Sequence, residues 1–105
     1  MRRGEVWWAR LRPSAGSRPV LLLSRDEAYQ VRALVTVAPL TTRVRGIPVE
    51  VPLGAGDGLP KEGVVNLDSV VTIRKSRLER RVTVLSRKKL QAVHRALRFA
   101  LALDE

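Results

Sequence analysis

The segment Pro19-Val20-Leu21-Leu22-Leu23-Ser24 constrains the fold most. It is almost wholly apolar, very short, and entered through Gly16-Ser17-Arg18. A run of that length bounded by turn residues reads as a strand buried on both faces, because helices are longer. Residues 33–40 repeat the pattern with many β-branched side chains and lead into Thr41 and Thr42. Further strands are predicted over 4–11, 47–53, 63–67, 70–73 and 81–85. Pro48 and Pro52 confine the 47–53 strand to a sheet edge, since proline cannot donate to a ladder. Turns or loops are predicted at 13–17, at 41–46 and, as a flexible glycine-rich loop, at 54–60. Residues 26–31 suit a single helical turn. Only 86–103 carries a helical period, with Leu90, Val93, Leu97 and Leu101 on one stripe and Ser86 as N-cap. Many short strands without a βαβ rhythm predict a mainly β, α+β-class fold: a small antiparallel, barrel-like sheet with a C-terminal helix. The length predicts one domain over 1–105.

Charge narrows the partners. The chain has 20 Lys and Arg against 10 Asp and Glu, a net charge of +10. The excess is concentrated, because residues 74–98 carry ten basic residues and the single acid Glu79. Such a patch suits a polyanion. Aromatics are only 4% of residues, too few for a platform that stacks successive bases. Cysteine is absent, which excludes disulfides and cysteine-based zinc sites. Neither a signal peptide nor a membrane-spanning run is evident, so a cytoplasmic protein without membrane association is expected.

The chemistry is concentrated at two strand ends. Arg18 stands at the entrance to a buried strand, and Thr41 and Thr42 close another. A guanidinium fork and a hydroxyl together suit a phosphate group without histidine, cysteine or metal. Glu5, Asp26, Glu27, Glu50, Asp57, Glu62 and Asp68 are scattered, so no metal site and no cofactor are expected. Asp68 reads either as a turn former beside Ser69 or as a catalytic carboxylate. His94 falls near the apolar stripe of the last helix and reads as a packing or surface residue. Arg87, Lys88 and Lys89 sit against the helix dipole, which suits a docked anion or acidic partner.

The order of these segments is Arg3-Gly4-Glu5-Val6-Trp7, then Gly16-Ser17-Arg18-Pro19-Val20, then Pro39-Leu40-Thr41-Thr42, then Val64-Val65-Asn66-Leu67-Asp68 and Thr72-Ile73. It resembles the MazF/PemK family of toxin endoribonucleases from bacterial toxin–antitoxin pairs, from Arg3 to about Leu101. The resemblance implies an SH3-like barrel, a homodimer, cleavage of single-stranded RNA at short sequences, and neutralisation by a cognate acidic antitoxin. It assigns catalytic roles to Arg18, to Thr41 with Thr42 as its rival, and to Asp68. Ser17, Thr42, Arg43, Arg45, Asn66 and Arg74 are the expected RNA contacts. Two departures stand out. Asn66 occupies a position where some members carry arginine, and the short loop before Arg18 lacks the acidic or histidine residue of many members.

These residue types fit attack by the RNA 2′-oxygen on the adjacent phosphorus. Arg18 would stabilise phosphate charge, Thr41 would hold a phosphate oxygen or orient the 2′-hydroxyl, and Asp68 is the candidate base. The expected products are a 2′,3′-cyclic phosphate and a 5′-hydroxyl, formed without metal. Two other classes fit part of the pattern. A non-catalytic, ribosome-associated RNA-binding protein explains the charge but not the placement of Arg18 and Thr41. A gyrase-poisoning toxin of the CcdB type shares the fold, but those toxins end in Trp-Gly-Ile where this chain ends Leu103-Asp104-Glu105.

Overall fold

The computed structural model describes residues 1–12 and 16–104. The turn predicted over 13–17 therefore lies largely outside the described residues. The chain forms β1 (Glu5–Ala9), β2 (Arg18–Leu22), a short helix α1 (Ala28–Val31), β3 (Leu34–Thr41), β4 (Glu50–Leu53), β5 (Gly63–Asn66), β6 (Val71–Arg74), β7 (Leu78–Val84) and the C-terminal helix α2 (Arg87–Leu101). Every strand pairing is antiparallel, and the sheet runs β4-β5-β3-β2-β1-β7. The predicted mainly β architecture with one long terminal helix is the one observed.

β3 organises the sheet. Along one edge it pairs with β2, and along the other its first half meets β6 while its end meets β5. Its side chains feed two apolar clusters: Val35 and Val37 join Val20, Leu22 and Tyr29, whereas Ala38 and Leu40 join Leu21, Val65, Leu67 and Val93. β2 likewise sends Val20 and Leu22 one way and Leu21 the other. Burial on both faces explains why both strands read as unbroken apolar runs. Val64, Val65 and Leu67 are all covered within the single chain.

The sheet does not close into a continuous ladder, since β4 and β7 are not paired with each other among the described residues. Side chains bridge the gap instead. Thr83 Oγ1 donates to the Asp57 carbonyl at 2.9 Å, and Lys89 Nζ donates to the Pro52 carbonyl at 2.6 Å. Lys89 Nζ also lies 3.6 Å from the Asp57 carboxylate. The predicted flexible loop at 54–60 thus contains a 3-10 turn, Ala55–Asp57, in which Asp57 Oδ2 accepts from the Gly54 N–H at 2.9 Å.

Two strand boundaries differ from expectation for local reasons. β4 starts only at Glu50, because its carboxylate accepts from the N–H groups of Arg45 and Gly46 at 3.1 and 2.8 Å and folds the preceding residues into a turn. β4 does lie at the sheet edge. β7 starts at Leu78 and not Arg81, and its register against β1 shifts twice. The shifts leave Glu79 and Val82 as extra residues, which breaks the period of two that sequence reading depends on. In α2 the Ser86 hydroxyl accepts from the Lys89 N–H at 3.2 Å, as the cap requires. Val93 and Ala96 are buried there, but Leu101 is 58% exposed, so the stripe ends before it. No helix among the described residues is long and apolar enough to cross a membrane.

Candidate active site

The ladder registers bring Arg18 and Thr41 to one end of the sheet. Arg18 pairs with Ala9, and Thr41 pairs with Val64 at the start of β5. Between them opens a cleft of ≈ 380 Å³ lined by Ser17, Arg18, Thr41 and Thr42 and walled by Trp8 and residues 59–63. That size is ample for a small polar group within a larger ligand. Gly63 makes the close approach possible, since a Cβ there would fall 2.5 Å from the Thr41 carbonyl oxygen.

Thr41 Oγ1 accepts from the Arg43 N–H at 3.1 Å. With an acceptor lone pair engaged, its hydroxyl hydrogen remains available to donate, and the incoming hydrogen bond polarises it in that sense. Arg18 is exposed and presents its donors to solvent. Ser17 Oγ is engaged by the Glu79 carboxylate, which also lies 3.4 Å from Arg10. The Ser17 hydroxyl and then Arg10 hold the Glu79 carboxyl below the usual carboxylate range. Trp8, with Arg80 over its ring at 5.9 Å, gives the cleft one aromatic face.

The remaining predicted residues are placed elsewhere. Arg43 and Arg45 are exposed on the loop that follows Thr41. Asn66 Oδ1 accepts from the Asp68 N–H at 2.8 Å, so both residues shape the turn between β5 and β6. Asp68 is four residues beyond the partner of Thr41, in the turn that follows β5. Arg74 pairs with Leu34, at the opposite end of β3 from Thr41. Within one chain the cleft therefore gathers Ser17, Arg18, Thr41 and Thr42, and not Asn66, Asp68 or Arg74. Trp8, Lys61 and Glu62 in the cleft wall are not among the individual site residues expected from sequence. The missing signal was the non-local register of β3 against β5, in which Thr41 pairs with Val64 and so brings 61–63 alongside Thr41.

His94 packs as expected of a structural residue. Its Nε2 faces the Arg3 guanidinium, which donates and so requires a neutral ring. Burial first, then the charges of Arg3 and Arg98, hold its pKa below the ordinary histidine value. Glu5 is buried between β1 and β7. Burial pushes its carboxyl up, but donors from Trp7, the Arg2 backbone and Arg81 outweigh this and leave it below the usual range. Among the described residues, no three His, Cys, Asp or Glu side chains converge as a metal site would need.

An open, antiparallel sheet, a helix laid against it and a cleft lined by an arginine and hydroxyls at the ends of the central strands mark a class of small, basic, mainly β proteins. Known proteins of that class are close to this chain. It is 41% identical over 100 residues to the probable endoribonuclease MazF5 of Mycobacterium tuberculosis, covering 94% of this chain and 91% of that protein. The solved Mycobacterium tuberculosis toxin MazF-mt6 superposes with a TM-score of 0.87 at 37% identity, covering 96% of this chain and 99% of that one. An endoribonuclease solved with its cognate antitoxin from a mycobacterial species gives a TM-score of 0.88 at 31% identity, over 98% and 96% of the two chains. The model of the PemK-like, MazF-like toxins of type II toxin–antitoxin systems matches residues 2–101, and the chain belongs to that family.

Proposed function

We propose that this protein is a sequence-specific endoribonuclease toxin that cuts single-stranded RNA in the Arg18–Thr41 cleft. The observation that carries the reading is the convergence of Arg18, Thr41, Thr42 and Ser17 on one cleft from two separate strand ends. Arg18 offers a planar fork to two oxygens of the scissile phosphate and stabilises the charge that grows on them. The Thr41 hydroxyl donates to a third oxygen or fixes the 2′-hydroxyl in line with phosphorus. The 2′-oxygen then attacks, the bond to the 5′-oxygen breaks, and a 2′,3′-cyclic phosphate and a 5′-hydroxyl result. The scattered carboxylates favour this route over a two-metal one, which needs several oxygen ligands around ions ~3.5–4 Å apart. The concentrated positive charge supplies affinity for the RNA backbone without choosing the sequence.

The same cation-rich surface suits a cognate acidic antitoxin, and an endoribonuclease from a mycobacterial species is solved in complex with its cognate antitoxin. We also assign the protein a homodimer. β6 pairs only with β3 among the described residues, and Val31, Leu34 and Val71 stand 74%, 41% and 42% exposed around that edge. An open edge with apolar neighbours suits a second copy across a two-fold axis.

The test is digestion of a long defined RNA in excess EDTA, with both cut ends mapped. Cleavage at a short recurring sequence, leaving a cyclic phosphate and a 5′-hydroxyl, is expected. Arg18→Ala should lose about 10²–10³ in rate while still binding RNA. Strict dependence on magnesium, 5′-phosphate ends, or full activity of Arg18→Ala would overturn the reading.

A further inference from the structure

Residues 74–98 are crowded with cations and hold one acid, Glu79. That acid touches the cleft. Its carboxylate accepts from the Ser17 hydroxyl, and Ser17 lines the cleft beside Arg18. The same carboxylate lies 3.4 Å from Arg10 Nε. Arg10 directly follows β1 and Ser17 directly precedes β2, so one side chain of β7 holds both ends of the β1–β2 connection. We infer that Glu79 is a positioning residue for RNA cleavage: by pinning Ser17 it fixes the entry to β2, and with it Arg18, for the scissile phosphate. The inference rests on the endoribonuclease reading above.

The pin starts from a fixed point. The Arg10 N–H donates to the Arg77 carbonyl at 3.0 Å, and Ala9 and Trp8 ladder to Leu78 and Arg80 on either side of Glu79. The start of β7 and the end of β1 therefore form one unit. Arg18 has less support of its own. It is the first residue of β2, where ladders fray, and its side chain is exposed. Ser17 is the residue through which that end is anchored. A serine hydroxyl has one hydrogen, and Ser17 gives it to Glu79. Only lone pairs are left for the cleft, and these do not hold a phosphate oxygen. Ser17 thus serves the cleft by its place and not as a phosphate donor.

The charge of Glu79 works against substrate binding, since a carboxylate beside a phosphate site repels RNA. A residue serving affinity alone would be a cation here. A contact that holds the group meeting the transition state raises the rate even where it lowers affinity. Loss of Glu79 should therefore leave RNA bound more tightly and cleaved more slowly. A surface acid without this role would give the first effect and not the second.

The test is single-turnover cleavage of a defined RNA, with RNA affinity measured alongside, by wild type, Glu79→Ala, Glu79→Gln, Ser17→Ala and the double variant of Ser17→Ala with Glu79→Ala. Glu79 is exposed, so its variants should fold normally, and circular dichroism checks this. Glu79→Ala should bind RNA as tightly as wild type or more so and cleave about tenfold more slowly, less than the ~10² of a full 1 Å misplacement because the ladder to Ala9 remains. Ser17→Ala should lose a similar factor, and the double variant should be no slower than either single one, because all three lack the same contact. Glu79→Gln keeps an acceptor for Ser17 but not the charge, so it should gain affinity as Glu79→Ala does and retain more of the rate. A Glu79→Ala rate at or above wild type overturns the assignment. So do losses that multiply in the double variant, or a deficit confined to RNA affinity. If Glu79→Ala matches wild type while Arg18→Ala is dead, only the positioning role falls; if wild type leaves RNA uncut, the endoribonuclease reading falls and takes this role with it.

Discussion

Gly63→Ala is the most exposing single change, because it strikes the contact that joins the two walls of the cleft. A Cβ at Gly63 would meet the Thr41 carbonyl oxygen at 2.5 Å and its carbon at 3.2 Å, whereas ordinary contact begins at 3.4 Å. Relief therefore requires β3 and β5 to part by roughly 0.9 Å, and both obstructing atoms are backbone, so no side chain can rotate away. Overpacking of this kind costs about 1–3 kcal/mol. The displaced group carries the Thr41 hydroxyl, and a misplacement near 1 Å in a reacting constellation costs ~10² in rate. Gly56→Ala is the matched control, since nothing lies within 4 Å of a Cβ there and its backbone angle is ordinary. Urea unfolding with linear extrapolation gives the stability change, and cleavage of a defined RNA at a temperature where both variants stay folded gives the rate. Gly56→Ala should be neutral or up to about 1 kcal/mol stabilising. If Gly63→Ala matched it in stability and kept full activity, the close β3–β5 approach would not be what positions Thr41.

Thr41→Ala should cleave RNA far more slowly while Thr42→Ala retains most activity, because only Thr41 is polarised by the Arg43 N–H; the reverse order in a cleavage assay would shift the functional hydroxyl by one residue. Stability should decline as pH falls below the unfolded histidine value of 6.5, because the folded state resists protonating His94 beside Arg3 and the unfolded chain does not. Urea midpoints between about pH 8 and about pH 5 should show this slope in wild type and lose it in His94→Gln, while the contributions of Glu5 and Glu79 are lost only below their ordinary value of 4.5. Replacing Arg87 and Lys88 with Glu should weaken RNA or antitoxin binding without changing the cleavage sequence. The salt dependence of RNA binding should flatten by ~0.7 in log–log slope for each phosphate no longer neutralised. Lys89 is left out of that variant because it ties Pro52 and Asp57 to the helix.

Much of the fold was legible because burial on two faces leaves a direct mark. Val20 to Leu22 and Val35 to Leu40 had no polar face to show, and the Ser86 cap announced the helix start. The start of β7, residues 78–80, was hidden because bulges break the strand's alternation, and the start of β4 because the Glu50 carboxylate acts through the backbone of a turn. The Arg18 and Thr41 side of the cleft was legible for a related reason, since each residue adjoins a conspicuous strand. The opposite wall was not. Lys61 and Glu62 lie in a loop without local pattern, and the non-local pairing of β3 with β5 brings them to Thr41. Asn66 and Asp68 illustrate the converse, since their nearness in sequence to a plausible motif serves a local hydrogen-bonded turn.

The central position of β3 also sets how the two sides of the cleft move. Its residue Val37 is wholly buried and laddered to Leu22 on one side and Val71 on the other. Amides in such a strand exchange with solvent only when the whole domain opens, whereas loop amides exchange through local fluctuations. Thr41 therefore rides on the slowest-opening element, while Lys61 and Glu62 ride on a hairpin loop joined to an edge strand. The cleft has one fixed jaw and one adjustable jaw. Sequence changes that retune which RNA bases fit should collect on the adjustable jaw, where the backbone can yield without disturbing the Thr41 hydroxyl.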